Sequence, residues 1–406
     1  YLNQKSIPMY DDQNVTANGY YYSTEKQGFL GELMQWMYDD RTKYKELEQK
    51  AKRNGDDNLV AKYNTIQMAR KIALNSAYGA LANEWFRYYD IRLAESITKS
   101  GQLAIRWIEQ ELNKYLNDVM ETEDKDYVVA ADTDSVYLAF GDLVDKFLGS
   151  VTDKNKIVDM LDSFCEDKVQ PFIEESYQKL ADYMNAYQQK MNMSREVIAD
   201  KGIWTAKKRY ILNVYDSEGY RYDEPDLKIM GIEAVRSSTP SVCRDKIKES
   251  LKIVLRGTED ELQQYIADFK DEFFEMNAEV VAFPRSVSGM DKYKCSVGIY
   301  QKSTPIQTKG SLLYNHWVKD KGLDDRYELI NEGDKIKFTY LKEPNVINAR
   351  VISFPSRLPN ELGLEKYVDY ETQFEKCYID PITTVLNTID WKHEKISTLE
   401  DFFGGV

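Results

Sequence analysis

The stretch Tyr127-Val-Val-Ala-Ala-Asp132-Thr-Asp134-Ser-Val-Tyr-Leu-Ala-Phe140 places two apolar runs on either side of a short polar centre. This pattern is typical of a β-hairpin with its polar residues at the turn. Asp132 and Asp134 stand two positions apart on extended chain, so both carboxylates are expected to project the same way. A bound divalent cation would relieve their repulsion, and oxygen ligands without a nearby His or Cys favour a hard ion such as Mg²⁺. An ordinary polar turn is the alternative interpretation.

Long helices are predicted before this hairpin. The sequence favours helix from Gly28 to Arg53 and again from Asn58 to about Tyr78, because apolar residues recur at spacings of three and four. The residues Asn54-Gly-Asp-Asp57 end one helix and restart the next, so the two should lie antiparallel as a helical hairpin. A third helix is predicted from Ala94 to Val119, where an apolar stripe indicates a buried face.

Strands and further helices are predicted after the hairpin. The strands lie at 203–215 and 220–233, separated by the turn Asp216-Ser-Glu-Gly219. A helix should begin at Thr239-Pro240 and end at Gly257. The pair Thr258 and Glu261 has the capping-box spacing that starts another helix.

Polar residues on the helical hairpin are candidates for binding a phosphorylated ligand. Lys71, Asn75 and Tyr78 share one face of the second helix. A lysine, an amide and an aromatic ring in line can hold a phosphate and pack against a base. Arg41 and Lys45 stand one turn apart on the first helix. Solvated helix faces, with a lysine reaching along apolar surface to water, are the alternative interpretation.

A cationic run, Lys207-Lys-Arg-Tyr210, lies in the stretch 201–215, which contains no acidic residue. Contact with a nucleic-acid backbone explains such a run. Lys228, close before Gly231, extends the same cationic pattern. A charged strand edge that blocks aggregation is the alternative.

The C-terminal tail places Leu399, Phe402 and Phe403 on one face of a terminal helical turn. Such a turn can insert into a groove of another protein. It can equally fold back on its own domain.

The overall charge limits the classes of function. Lys and Arg number 54 against 68 Asp and Glu, which gives a formal net charge of -14. This balance excludes a generally basic nucleic-acid binder but allows a local basic groove. Four widely spaced cysteines and two histidines argue against a zinc site or a disulfide framework. No apolar run approaches the roughly 20 residues of a membrane span, and no signal peptide opens the chain.

Three of these segments together resemble motifs of one enzyme family. The segment Lys71-Ile-Ala-Leu-Asn75-Ser-Ala-Tyr78-Gly79 resembles the KxxxNSxYG motif of family B DNA polymerases. The segment Asp132-Thr-Asp134-Ser135 resembles their DTDS motif. The segment Lys207-Lys-Arg-Tyr210 resembles their KKRY motif. Their order and spacing also agree. The segments 83–90, 227–233 and 237–240 look in particular like those of the replicative polymerases of T-even-type phages. The likeness runs from about Gly28 to the C-terminus and is weaker between about 280 and 360.

The resemblance implies an α+β fold of the right-hand type, with fingers, palm and thumb. Residues 1–27 would form a connecting segment, and 28–82 the fingers as an antiparallel helical hairpin. Residues 83–232 would form a palm of antiparallel sheet and packed helices. Residues 233–406 would form a mostly helical thumb with a clamp-binding tail.

The same resemblance implies template-directed DNA synthesis from dNTPs on a primer-template. Asp132 and Asp134 would be the catalytic residues and the ligands of two Mg²⁺ ions, for which Mn²⁺ can substitute. The dNTP would contact Arg41, Lys45, Lys71, Asn75 and Tyr78. The DNA would contact Thr133, Lys207, Lys208, Arg209, Tyr210, Lys228 and Gly231. The sliding clamp would receive Leu399, Phe402 and Phe403.

The chain also departs from the family pattern. Ala130-Ala131 replaces the usual Tyr-Gly before DTD, and the first palm motif, DxxSLYPS, is absent together with the preceding exonuclease. We therefore expect the C-terminal part of a phage-type polymerase, inactive or very weak alone, completed by an N-terminal segment or subunit in the cytoplasm of an infected bacterium. A non-catalytic module that binds primer-template or clamp is the alternative. An acidic helical scaffold without a nucleic-acid role is a third hypothesis.

Overall fold

The computed structural model describes residues 1–149, 151–295 and 298–395. The chain divides into two compact units. The first consists of Tyr1–Ile198 together with Asp216–Arg221. The second consists of Ala199–Tyr215 and the chain from Tyr222 onward.

The first unit is mainly helical. Its helices are α1 (Phe29–Arg53), α2 (Asp57–Leu81), α3 (Ile91–Met120), α4 (Gly141–Leu148), α5 (Lys154–Phe164) and α6 (Gln170–Tyr183), and a π-helical turn (Cys165–Val169) joins the last two. Its short antiparallel hairpins are β1 (Gln13–Val15) with β2 (Tyr21–Ser23), and β3 (Val128–Asp132) with β4 (Ser135–Leu138). The three long helices and the second hairpin confirm the predictions made from periodicity. Asp56 caps α2 by accepting a hydrogen bond from the Leu59 N–H at 3.0 Å, which explains why the chain restarts a helix there.

The core of the first unit lies between α3 and α6. Trp107 and Ile108 of α3 pack with Ile173 and Tyr177 of α6, and Val128 of β3 joins the same cluster. The Trp107 indole N–H donates to the Ser176 carbonyl oxygen at 3.1 Å, so the buried ring leaves no polar atom unpaired. Full burial of each large apolar side chain contributes about 1.5–3 kcal/mol. This packing fixes the β3–β4 hairpin against α3.

The strands and helices of the second part of the chain follow in order. The strands are β5 (Val197–Ala206), β6 (Arg209–Ser217), β7 (Tyr220–Met230), β8 (Phe283–Ser286), β9 (Lys335–Tyr340) and β10 (Val351–Phe354). The helices are α7 (Ser241–Arg256), α8 (Glu259–Phe274), α9 (Ala278–Val281), α10 (Met290–Tyr293), α11 (Ile306–Asp320), α12 (Tyr370–Phe374) and α13 (Asp380–Leu386). The strands form two three-stranded sheets, ordered β5-β6-β7 and β10-β9-β8.

Two sequence predictions here have different outcomes. The capping box is confirmed: the Glu261 N–H donates to the Thr258 hydroxyl, and the Thr258 N–H donates to the Glu261 carboxylate. The single strand predicted at 203–215 is wrong, because the chain turns at Lys207 and Lys208 between β5 and β6. Lys208 has φ +63°, a left-handed conformation that Gly, Asn or Asp usually mark, so the lysines carried no turn signal.

The second unit has a separate core built around α7, α8 and the last helices. Phe269 and Phe273 of α8 are fully buried and meet Phe374, and Phe269 also meets Tyr378, with ring centroids 4.8–5.6 Å apart. Across the described ranges, every helix is too short or too polar to cross a membrane.

Candidate functional site

The carboxylates of Asp132 and Asp134 lie at the tip of the β3–β4 hairpin. Asp132 ends β3 and pairs with Ser135, so only Thr133 and Asp134 form the loop. Thr133 has φ +57°, and the Asp134 N–H donates to the Asp132 carbonyl oxygen at 2.6 Å. The Ser135 hydroxyl donates to the same oxygen at 3.1 Å. The predicted hairpin with acidic residues at its turn is therefore confirmed.

Asn113 of α3 anchors the base of this hairpin. Its Oδ1 atom accepts hydrogen bonds from the backbone N–H groups of Tyr127 at 2.8 Å and Val128 at 3.0 Å. The Tyr127 and Val128 side chains are buried. The hairpin tip is thus supported from a rigid helix, and the aspartates do not depend on a long loop for their position.

The donor chemistry of the tip fits a hard divalent cation. Asp132 is half-buried and Asp134 is exposed, and the Thr133 hydroxyl donates to Asp132 Oδ1 at 3.0 Å. Carboxylate oxygens are the ligands that Mg²⁺ prefers. No group of three or more His, Cys, Asp or Glu residues lies in metal-binding proximity anywhere in the described ranges. Two carboxylates on one turn are fewer ligands than an octahedral Mg²⁺ ion takes.

The helical hairpin α1–α2 presents the candidate phosphate-binding residues. Lys71, Asn75 and Tyr78 are exposed on α2, and the Tyr78 side chain is 41% accessible. Asp40 and Arg70, which directly precede Arg41 and Lys71, form an ion pair with a 2.8 Å contact across the two helices. This pair links α1 and α2 next to the two candidate residues.

Arg41 and Lys45 of α1 differ in their surroundings. The Nε atom of Arg41 is buried, and no described residue forms a hydrogen bond with it. The Lys45 ammonium lies 2.5 Å from the Glu218 carboxylate, which belongs to the turn between β6 and β7. The sequence analysis did not single out Glu218. An acidic residue before a glycine in a turn gives no indication that it pairs with a lysine 173 positions away.

The cationic run divides into two exposed and two packed residues. Lys207 and Lys208 are exposed in the β5–β6 turn. Arg209 pairs with Glu233 at 2.7 Å, and Tyr210 is 4% accessible and stacks on Trp204. A charge run alone could not distinguish these roles, since alternate residues of a strand face opposite sides.

Gly231 and Lys228 follow on the neighbouring strand. Lys228 is half-buried on β7. Gly231 has φ +69°, and its position is explained by close packing against the β5–β6 turn. The tail residues Leu399, Phe402 and Phe403 lie outside the described residues.

Comparison with known proteins bears on these motifs. The model of DNA polymerase family B matches residues 2–157, a range that contains both the α2 residues and the Asp132–Asp134 hairpin. The DNA-directed DNA polymerase of Enterobacteria phage T4 is 36% identical over 84% of this chain. The corresponding enzyme of Escherichia phage RB69 is 39% identical, also over 84% of the chain. The chain belongs to DNA polymerase family B.

The similarity extends to a protein from outside the phages, and the family B chain matches less than half of each relative's length. DNA polymerase 1 of Aeropyrum pernix is 22% identical over 90% of the chain. The matches cover 39% of the phage T4 protein, 38% of the phage RB69 protein and 32% of the archaeal one. The chain therefore spans about two fifths of the length of its phage relatives.

Proposed function

We propose that this chain is the C-terminal part of a replicative DNA polymerase that extends a primer by nucleotidyl transfer. In this reaction the primer 3′-hydroxyl oxygen bonds to the α-phosphorus of a dNTP, the α–β phosphate bond breaks, and pyrophosphate and a proton leave. The observation that carries the proposal is the Asp132 and Asp134 pair at a braced hairpin tip, inside the region matched by the family model.

The nucleotide would bind along α1 and α2. Lys71 and Asn75 are exposed on one helical face, where an ammonium and an amide can contact phosphate oxygens. The buried Nε–H of Arg41, unpaired among described residues, is a further donor that a triphosphate would satisfy. Tyr78 would pack against the nascent base pair, because its exposed ring can support a flat apolar surface.

The DNA duplex would lie along the β5–β6 turn. Lys207 and Lys208 are exposed there and would contact phosphates, and Lys228 on β7 and Thr133 at the hairpin tip would add contacts. Arg209, Tyr210 and Gly231 would shape this surface through their packing. Loss of each phosphate contact should reduce the slope of log affinity against log salt by about 0.9.

The chemistry requires a divalent metal, for which Asp132 and Asp134 would be ligands. Mg²⁺ ions bound there, two of them in this proposal with Mn²⁺ as a substitute, would supply Lewis-acid activation of the hydroxyl and stabilise the leaving oxygens. Octahedral Mg²⁺ needs more ligands than two residues of one turn provide. We therefore propose that an N-terminal segment or subunit, carrying the DxxSLYPS aspartate, completes the site.

The remaining assignments follow the family pattern. Residues 28–82 would be fingers, 83–232 palm and 233–406 thumb, with 1–27 as a connecting segment. Leu399, Phe402 and Phe403 would insert into a sliding clamp, and the enzyme would act in the cytoplasm of an infected bacterium.

Primer extension tests the proposal. The chain alone, with Mg²⁺ and dNTPs, should extend a primer weakly or not at all, and addition of an N-terminal polymerase segment should restore synthesis. In the reconstituted enzyme, Asp134→Ala should abolish extension and leave primer-template binding unchanged, whereas Glu123→Ala in the acidic spacer should leave both extension and binding unchanged. Robust synthesis by the chain alone would refute the need for a second segment. Failure of every N-terminal segment to restore synthesis would favour a non-catalytic binding module.

A further inference from the structure

Glu218, in the turn between β6 and β7, binds two side chains of helix α1. Glu218 accepts from the Lys45 ammonium at 2.5 Å and from the Gln49 side-chain amide at 2.9 Å, through its two different oxygens. Lys45 and Gln49 are one turn apart on α1, so both reach the same carboxylate. The side chains of Lys45 and Glu218 are 38% and 34% accessible, which leaves the pair open to a competing ligand.

This acidic residue stands on a rigid turn. Asp216, only 2% accessible, bonds to Arg195, and its Oδ1 atom accepts from the Gly219 N–H at 3.0 Å. Arg195 is held in turn by Asp162 at 2.5 Å. The Glu218 N–H donates to the Glu196 carbonyl oxygen at 2.7 Å. The carboxylate is therefore positioned by its own turn, so Glu218 loses little conformational entropy when Lys45 pairs with it.

The carboxylate is also kept ionised. Burial raises the pKa of Glu218, but the hydrogen bond and the charge of Lys45, together with the Gln49 hydrogen bond and the Lys52 charge, leave that pKa below its ordinary value. At neutral pH the Lys45 ammonium thus faces a full negative charge. A lysine has one compact charge, so it cannot serve this carboxylate and a second anion equally well.

We propose that Glu218 is a positioning residue that holds α1 through Lys45 and Gln49 and competes with the nucleotide triphosphate for Lys45. This inference rests on the proposed function and on the family resemblance, by which Lys45 would contact the triphosphate. Only the fraction of molecules with Lys45 released would be competent to bind, so the apparent affinity for nucleotide is reduced by that fraction. Because that fraction is a property of the free protein, the contact lowers the affinity of every nucleotide that contacts Lys45 by the same factor.

Glu218→Gln removes the charge and keeps the shape, and Glu32→Gln, an exposed acid in the first turn of α1, is the matched control. The probes are dATP, dADP and dAMP, titrated by calorimetry into the chain with primer-template and Mg²⁺. Glu218→Gln should raise dATP affinity by about three- to fivefold, the range expected for a partly exposed ion pair. It should raise dADP and dAMP affinity by no more than that factor, because the free Lys45 is equally available to every nucleotide, and Glu32→Gln should change none of the three affinities.

Hydrogen exchange of the α1 amides around Lys45, measured without nucleotide, gives a second readout. Exchange should be faster in Glu218→Gln than in the wild type or Glu32→Gln, with thermal melting confirming that all three fold. Faster exchange with unchanged dATP affinity would overturn the competition, and unchanged exchange would overturn the contact itself. If no variant binds dATP, the proposed nucleotide site on α1 and α2 fails, and exchange alone decides whether Glu218 holds the helix.

Discussion

Gly231 lies so close to Lys208 that a side chain cannot fit between them. A Cβ atom on Gly231 would stand 2.2 Å from the Lys208 carbonyl oxygen, and both residues are left-handed, with φ of +69° and +63°. This close packing holds the end of β7 against the turn that contains Lys207 and Lys208. The shape of the proposed duplex-binding surface therefore depends on an absent side chain.

Gly231→Ala should destabilise the second unit and displace the lysine turn. The alanine meets two penalties: the left-handed backbone costs roughly 1 kcal/mol, and the contact with the Lys208 oxygen forces the backbone apart at further cost. Gly322→Ala is the control, because Gly322 has φ +60° and nothing within 4 Å of an added Cβ. Chemical denaturation should show a larger loss of unfolding free energy for Gly231→Ala than for Gly322→Ala, and Gly231→Ala should also bind primed DNA more weakly. Equal losses in both variants would mean that the close packing of Gly231 against Lys208 does not contribute to the free energy of unfolding.

Arg195→Met should strongly destabilise the first unit. The guanidinium compensates Asp216, whose side chain is 3% accessible, and removing one partner of a buried pair typically costs about 3–5 kcal/mol. Arg221 contacts the same carboxylate only at 3.4 Å and cannot replace the lost charge fully. Arg350→Met is the control, since Arg350 pairs with Glu343 while 81% accessible. Thermal melting should show a large drop for the first variant and little change for the second, and similar drops would contradict the role of the network.

Asp90 should make the stability of α3 depend on pH. This residue caps α3, and the Arg92 side chain, followed by the backbone N–H groups of Arg92 and Leu93, lowers the Asp90 pKa from 3.8 to about 2. Because the folded pKa lies below the unfolded one, the stabilisation is present above 3.8 and is lost as the pH falls towards about 2. The difference in urea midpoint between wild type and Asp90→Ala should shrink over that range. A difference that stays constant as the solution is acidified would show that ionised Asp90 does not stabilise the helix.

Local features were predictable from the chain. The β3–β4 hairpin follows from two apolar runs around Asp132 and Asp134, and α2 begins where Asp56 can cap it. Each of these depends on residues within a few positions of one another. The turn at Lys207 and Lys208 was not predictable, because two lysines carry no turn signal and Gly231, which packs against Lys208, is more than twenty positions away in the sequence.

The sequence by itself determined the family motifs, the positions of the long helices and of the β3–β4 hairpin, and the carboxylate pair at the hairpin tip, because periodicity, caps and turns act over a few residues. The tertiary structure alone decided which charged side chains form ion pairs within the protein and which are exposed to a ligand. It paired Arg209 with Glu233 and left Lys207 exposed, and it set Lys45 against Glu218 across 173 positions. Charge pairing depends on distances of a few ångströms between groups far apart in the chain, and only the folded packing establishes those distances.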